Sequence, residues 1–287
     1  DTTTFYGNRY CDLKGIRFAL GGLVSDGITM GTENMSYSLV SREGFADQIE
    51  VTMKANYYDG LITIPGCDKN FPGCLMGMIR VNRPSLMICG GSIYPGKYNN
   101  KDIDIVNAFQ SYGEYIKGVI NKQEREGIIE NSCPCSGSCG GMYTANTMAS
   151  IIETMGMMIP GGSSNMANSK EKIEEINQSG FYMNNLLYYN IKPRDILTYD
   201  ALINGITMGI ILGGSTNMVL HLLAIAKELD IKLNINIFNE ISKKTPVLAN
   251  LKPIGKYVMK DLSEIGGIPA VQKYLLEEGL LNGDCLT

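Results

Sequence analysis

The 287-residue sequence has no tryptophan and a single histidine, His221. Any histidine-based catalytic triad would depend on that one imidazole. It lies in the apolar run Val219-Leu220-His221-Leu222-Leu223 with no nucleophile motif beside it, which argues against serine-hydrolase chemistry and for a satisfied core histidine. No apolar run reaches the ~18–20 residues needed to cross a bilayer as a helix. No basic run of the kind that marks a nucleic-acid footprint is present, and 25 Lys plus Arg against 29 Asp plus Glu leave a net charge of only −4. Internal repeats, low-complexity tracts and clear linkers are also missing. The first ten residues are polar, with no initiator methionine and no apolar signal core. The last seven, Leu281 to Thr287, read as the entry to a further strand. The expectation is a chain cut at both ends, with room for an address sequence upstream.

The composition that remains is globular, 44% hydrophobic and 19% charged. Thirty-three glycines and sixteen methionines suit a turn-rich protein with an adaptable core. Eight cysteines, at positions 11, 67, 74, 89, 133, 135, 139 and 285, are spread through a long chain in apolar or Gly-rich contexts. That pattern points to reduced thiols and metal chemistry inside a cell rather than to a disulfide framework.

Short apolar runs closed by Gly or Pro, residues 60–65 and 85–90, predict buried strands. Helical spacing predicts helices over 41–58 (Phe45, Ile49, Met53), 71–81, 144–156 and 217–229. Strands alternating with helices imply an α/β fold of three layers, a mostly parallel sheet with helices on both faces, over a single domain spanning 1–287. The more polar stretch 163–200 reads as a peripheral helical excursion. Met155, Met157 and Met158 read as core, and Cys11, Cys74, Cys89 and Cys285 as small buried hydrophobes.

Two segments concentrate chemistry. In Pro65-Gly66-Cys67-Asp68-Lys69-Asn70-Phe71-Pro72-Gly73 a strand runs into a turn that sets a soft ligand, a hard ligand and an amine side by side before a helix. The carboxyl end of a strand is where open α/β sheets bind ligands. Thiolate prefers iron or zinc and carboxylate prefers Mg²⁺, so Cys67 and Asp68 suit two different metals; a turn with an Asp cap and a buried cysteine is the plain alternative. In residues 132–142, Ser-Cys-Pro-Cys-Ser-Gly-Ser-Cys-Gly-Gly-Met, three cysteines within seven residues are separated by small ones. Such a loop wraps an iron–sulfur cluster, because small residues and glycine let backbone N–H groups turn toward sulfur. The spacing does not say which cysteine binds, and structural zinc is weakly supported because no second CxxC exists. Two further segments are weaker. Asp26, in Leu23-Val24-Ser25-Asp26-Gly27, is a Mg²⁺ ligand or a turn residue, and Gly213 to Asn217 is an anion site or a tight turn with a cap.

Taken together these motifs resemble the dihydroxy-acid dehydratase branch of the IlvD/Edd dehydratase family. CDKNFPGCLMG (67–77) is similar to its first signature and SCPCSGSCGGMYTANTMAS (132–150) to its second cysteine segment, with VSDGITMGTENMSYSLVSRE, KPRDILT and GGSTNMVLHLLAIA in family order. The resemblance runs from about Phe18 to Thr287. It implies Cys67 and Cys139 as iron–sulfur cluster ligands, with [2Fe-2S] favoured over [4Fe-4S], and Asp26, Asp68 and Lys69 at Mg²⁺ positions, Lys69 as a carbamate. It implies dehydration of 2,3-dihydroxy acids to 2-keto acids in valine and isoleucine synthesis, in a homodimer. The location implied is the mitochondrial matrix in a eukaryote or the cytoplasm in a bacterium. By the same resemblance the general base is a serine of a C-terminal, β-barrel-like domain beyond Thr287, and a third cluster cysteine lies upstream, where Cys11 is a weak match. A sugar-acid dehydratase of the same family and a non-catalytic iron–sulfur redox protein are the other readings.

Overall fold

A computed structural model describes residues 13–22 and 24–287; Cys11 and Leu23 lie outside the described residues. After a short helical turn, Asp26–Thr29, the chain forms α1 (Ser36–Ala55), β1 (Leu61–Thr63), α2 (Asn70–Val81) and β2 (Ser85–Met87). β1 and β2 pair in parallel with Leu61 opposite Ser85 and Thr63 opposite Met87. The pairing continues past both strands, since Ile88 N donates to Thr63 O at 2.9 Å and Gly90 N to Pro65 O at 2.9 Å. Met87 also bridges in parallel to Met158. The predicted strands are therefore present, with a regular core of three residues each.

The pleat sorts the strand side chains between two apolar layers, as a period of two requires. Leu61 and Met87 join the main core with α1 and α2. Their neighbours Ile62 and Leu86 face Ile159, Met183, Leu186 and Leu187 instead. The fold is α/β, rich in helix, around a small parallel sheet.

Why α1 and α2 lie so close is legible in their residues. Phe45, Ile49 and Met53, four apart, form the buried stripe of α1. Opposite them on α2, a Cβ at Gly73 would stand 2.7 Å from Arg42 O, and one at Gly77 2.8 Å from Ile49 Cβ. Only glycine admits that approach. α2 ends at Asn82 in the left-handed conformation (φ 47°), its N–H returned to Met78 O at 2.8 Å.

A hairpin follows, β3 (Gly96–Tyr98) and β4 (Lys101–Ile103), turned by Asn99 and Asn100 at φ 48° and 60°. Then come α3 (Ile105–Ile116), α4 (Lys122–Asn131), α5 (Thr144–Thr154), α6 (Lys170–Tyr188), α7 (Tyr199–Ile211), α8 (Asn217–Glu228), α9 (Asn236–Lys244), α10 (Met259–Glu264) and α11 (Gly267–Glu277). No helix among the described residues is long and apolar enough to cross a membrane.

Two expectations need correction. The stretch 163–200 is helical but not peripheral. α6 packs on β2 through Met183 and buries Lys172 and Glu175 as an internal ion pair, while Lys170, Glu171 and Glu174 on the same helix are exposed. The segment 281–287 forms no strand. Met155, Met157 and Met158 are core, Cys74 and Cys89 are buried, and Cys285 is half-buried against the main core.

Candidate metal centre

Cys67, Asp68 and Lys69 occupy the turn between β1 and α2. The turn closes on itself, Asn70 N donating to Cys67 O at 3.1 Å and Gly73 N to Lys69 O at 3.1 Å, which places Lys69 at the N-cap of α2. Asp26 reaches the same point from the short helical turn before α1. Lys69 Nζ lies 2.8 Å from Asp68 Oδ2 and 3.0 Å from Asp26 Oδ2, so two carboxylates from separate elements converge on one buried amine. The Ser38 hydroxyl, on α1, donates to Asp26 Oδ1 and fixes that carboxylate from behind.

Electrostatics split the pair. Burial and a hydrogen bond shared with Asp26 push the Asp68 carboxyl up, against the pull of Lys69. At Asp26 burial works the same way, but hydrogen bonds with Asp68, Ser38 and Lys69 outweigh it and hold the group below the usual carboxylate range. Burial pulls Lys69 down, yet its two carboxylate partners more than offset this and its pKa is raised. Asp26 therefore carries its charge more firmly than Asp68.

Burial, and then the charge of Asp68, push the Cys67 thiol up. Cys139 is exposed as a residue, yet protein atoms crowd its thiol and push it to about 11, with Cys67 and Cys133 adding to the effect. Cys67 and Cys139, from two separate loops, thus lie within electrostatic reach of one another. The Cys139 loop is stitched to the end of β2: Ser138 N donates to Gly91 O at 2.9 Å, and Ile93 N to Ser138 O at 2.8 Å. Gly137, at φ 140°, is required there, because a Cβ would meet Ile93 N at 2.5 Å. Cys133 is exposed and Cys135 half-buried. Tyr143 Oη donates to Asp104 Oδ2 at 2.9 Å, and burial, then Asp104 and Cys139, push its hydroxyl up.

The donors match two kinds of metal group. A hard pair, Asp26 and Asp68, suits Mg²⁺; a soft pair, Cys67 and Cys139, suits iron. Each pair offers only two donors, and among the described residues no group of three or more His, Cys, Asp or Glu is arranged to hold a metal. Both thiols must lose protons to bind iron.

The other candidates resolve differently. Gly213 to Asn217 is a turn: Gly213 has φ 62°, Gly214 N donates to Gly209 O at 2.8 Å, and Thr216 makes no side-chain cap. Its polar groups turn inward, Ser215 N to Thr147 Oγ1 at 3.0 Å and Asn217 Nδ2 to Thr144 Oγ1 at 2.8 Å. His221 is fully buried, with Nδ1 3.3 Å from Arg42 Nη1, but Nε2 has no partner, so the satisfied core histidine expected there is only half satisfied. Arg42, Lys69 and Asp26 all lie near enough to act on the ring electrostatically, yet of these only Arg42 comes within hydrogen-bonding distance, at Nδ1. Sequence reasoning did not single out Ser38, Ser92, Tyr143 or Asn146, because each acts through a partner distant in sequence or in a loop of irregular geometry.

The structure thus defines an α/β domain in which two carboxylates and an amine converge just beyond the carboxyl end of a parallel strand. Its sequence is more specific still. Residues 9–287 match the dihydroxy-acid/6-phosphogluconate dehydratase N-terminal family, and the chain belongs to that family. Among similar curated proteins are the dihydroxy-acid dehydratase of Francisella tularensis subsp. novicida, 57% identical over 96% of this chain and 49% of the relative. The mitochondrial dihydroxy-acid dehydratase of Schizosaccharomyces pombe is 54% identical over 98% of this chain and 47% of its own length. The chloroplastic dihydroxy-acid dehydratase of Arabidopsis thaliana is 53% identical over 96% and 45%. The chain spans about half the length of the curated relatives it matches.

Proposed function

We propose that this chain is the metal-binding half of a dihydroxy-acid dehydratase, a hydro-lyase that removes water from a 2,3-dihydroxy acid of the dihydroxy-isovalerate type to leave a 2-keto acid. The observation that carries the reading is the convergence of Asp26 and Asp68 on Lys69 Nζ, two residues from Cys67. An electron-transfer protein has no use for that hard-donor pair beside its thiols.

When bound, an iron–sulfur cluster and Mg²⁺ would supply Lewis acidity at the departing 3-hydroxyl and at the carboxylate and 2-hydroxyl of the substrate. Cys67 and Cys139 would hold the cluster, and Asp26 and Asp68 the Mg²⁺. Lys69, as a neutral amine adding to carbon dioxide with release of a proton, would become a carbamate and give the site a third oxygen donor. Ser38 keeps Asp26 oriented throughout. The proton on C2 must leave to a base. None of these residues is free to be that base, and a serine of a second domain is its proposed source. A homodimer, located as the organellar names of the plant and fungal relatives suggest in a eukaryote or in the bacterial cytoplasm, completes the reading.

The test is anaerobic reconstitution of the full-length protein, with iron, acid-labile sulfide and turnover of 2,3-dihydroxy-isovalerate measured together. Cys67→Ser is expected to lose most of its iron; full iron content in that variant overturns the cluster assignment. Turnover confined to sugar acids would move the protein to the other branch of the family.

A further inference from the structure

The Asn146 side chain sits at a crossing of four hydrogen bonds. Its Nδ2 donates to Cys139 O at 2.6 Å and to Gly141 O at 2.7 Å. Its Oδ1 accepts from Ser92 Oγ at 2.8 Å and from Ser138 Oγ at 3.3 Å. Two carbonyls can only accept and the Ser92 hydroxyl donates, while Ser138 shares its one proton between Asn146 Oδ1 and Gly91 O, each at 3.3 Å, so the partners fix which way the amide faces. Asn146 is 1% exposed and Ser92 wholly buried, so both side chains are shielded from bulk solvent. Asn146 lies in the first turn of α5, an element buried from end to end.

The hub is itself anchored in the rigid interior. Ala167 N donates to Ser92 O at 3.0 Å and Ser92 N to Asn165 O at 3.4 Å. Asn165 Nδ2 in turn donates to Glu175 Oε2 at 3.0 Å, and Glu175 is paired with Lys172 at 2.6 Å. A continuous path thus runs from a buried ion pair on α6, through the end of β2, to the backbone of Cys139. Cys139 is otherwise an exposed residue on a loop of small residues, where nothing in the local sequence would hold a thiol still.

We infer that Asn146 is a positioning residue for Cys139, fixing the backbone that carries that thiol by clamping the carbonyls of Cys139 and Gly141 against Ser92 and Ser138. An aspartate could not replace it, because a carboxylate would face two carbonyl oxygens with no proton to offer. The inference builds on the reading of Cys139 as a cluster ligand, and the two can fail separately.

The test uses the full-length protein, prepared free of iron under reducing conditions. The alkylation rate of each cysteine by iodoacetamide is followed by mass spectrometry, alongside a thermal melt. In Asn146→Ala, Cys139 is expected to react on the order of tenfold faster, the opening expected when two buried hydrogen bonds are lost. Cys67 and the buried Cys74 should keep their rates. Asn146→Asp should behave likewise, and Ser92→Ala, which leaves both carbonyls held, should give a smaller acceleration at Cys139 alone. After reconstitution, Asn146→Ala and Asn146→Asp should show less cluster and an altered visible circular dichroism spectrum. An unchanged Cys139 rate in the folded variants overturns the inference. So does acceleration of Cys139, Cys67 and Cys74 together, which would mean general loosening. Should Asn146→Ala fail to fold, Ser92→Ala decides by the same rates. Selective release of Cys139 with full iron retained in Cys139→Ser would instead sink the cluster reading and leave the positioning role intact.

Discussion

Lys69 and Lys172 are both buried amines held by carboxylates, and they are built for different ends. Lys172 Nζ is spent on Glu175 at 2.6 Å and on the backbone carbonyls of Cys89 and Gly162, each at 2.8 Å. Beside it, Glu153 takes three donors, Gly161 N, Ser163 N and Ser163 Oγ. That network pins the loop around 160–167 to the end of β2 by binding backbone. Lys69 Nζ binds only side chains, Asp26 and Asp68, which come from separate elements. Its surroundings can be rebuilt by a new cation or a change in the amine without disturbing the backbone. A buried ion pair that grips main chain is an anchor; one that grips only other side chains is available for chemistry.

The largest expected effect separates the two. Lys172→Met leaves Glu175 buried without its cation and should cost about 3–5 kcal/mol of folding stability in denaturant titration. Lys69→Met should cost only about 1 kcal/mol in the same experiment, because Asp68, already shifted up, can take a proton. Equal losses would erase the distinction. Next, Asp68→Asn should weaken Mg²⁺ binding to the full-length protein by about a hundredfold, roughly 3 kcal/mol by calorimetry, while iron content stays constant. Undiminished Mg²⁺ affinity would return Asp68 to the role of a turn residue. The smallest effect is a pH dependence. Burial first, then Arg42 and Lys69, push His221 down to about 3 from 6.5. As pH falls below 6.5 the unfolded chain takes up a proton that the folded one refuses until about 3, so stability declines through that window and is unaffected above it. His221→Asn should therefore lose on the order of 1 kcal/mol less than the parent between pH 7 and pH 5. Identical acid slopes would show that His221 charges within the fold.

Much of this was legible in the residues alone. Four-residue spacing of Phe45, Ile49 and Met53 predicts α1, and the apolar runs closed by Pro65 and Gly90 predict β1 and β2. Cys67, Asp68 and Lys69 announce their turn because three chemically distinct side chains stand together. The β3–β4 hairpin went unread although Asn99-Asn100 is its signal, since both residues take positive φ easily. The burial of α6 was misread for a different reason. A helix rich in Lys, Glu and Asn has the composition of a solvated surface, and nothing local reveals that Lys172 has carbonyls waiting at Cys89 and Gly162, the first of them 83 residues away.

The sequence by itself determined the alternation of strands and helices, the residues that carry donors of each hardness, and membership of the dehydratase family, because periodicity and short motifs are local properties. Tertiary structure alone decided that Asp26 meets Lys69 across 43 residues, that Cys139 comes within electrostatic reach of Cys67, and that Asn146 rather than another polar residue holds the cysteine loop. Hydrogen bonds and Coulomb interactions act over a few ångströms, and which side chains come within that range depends on how the helices pack around the sheet.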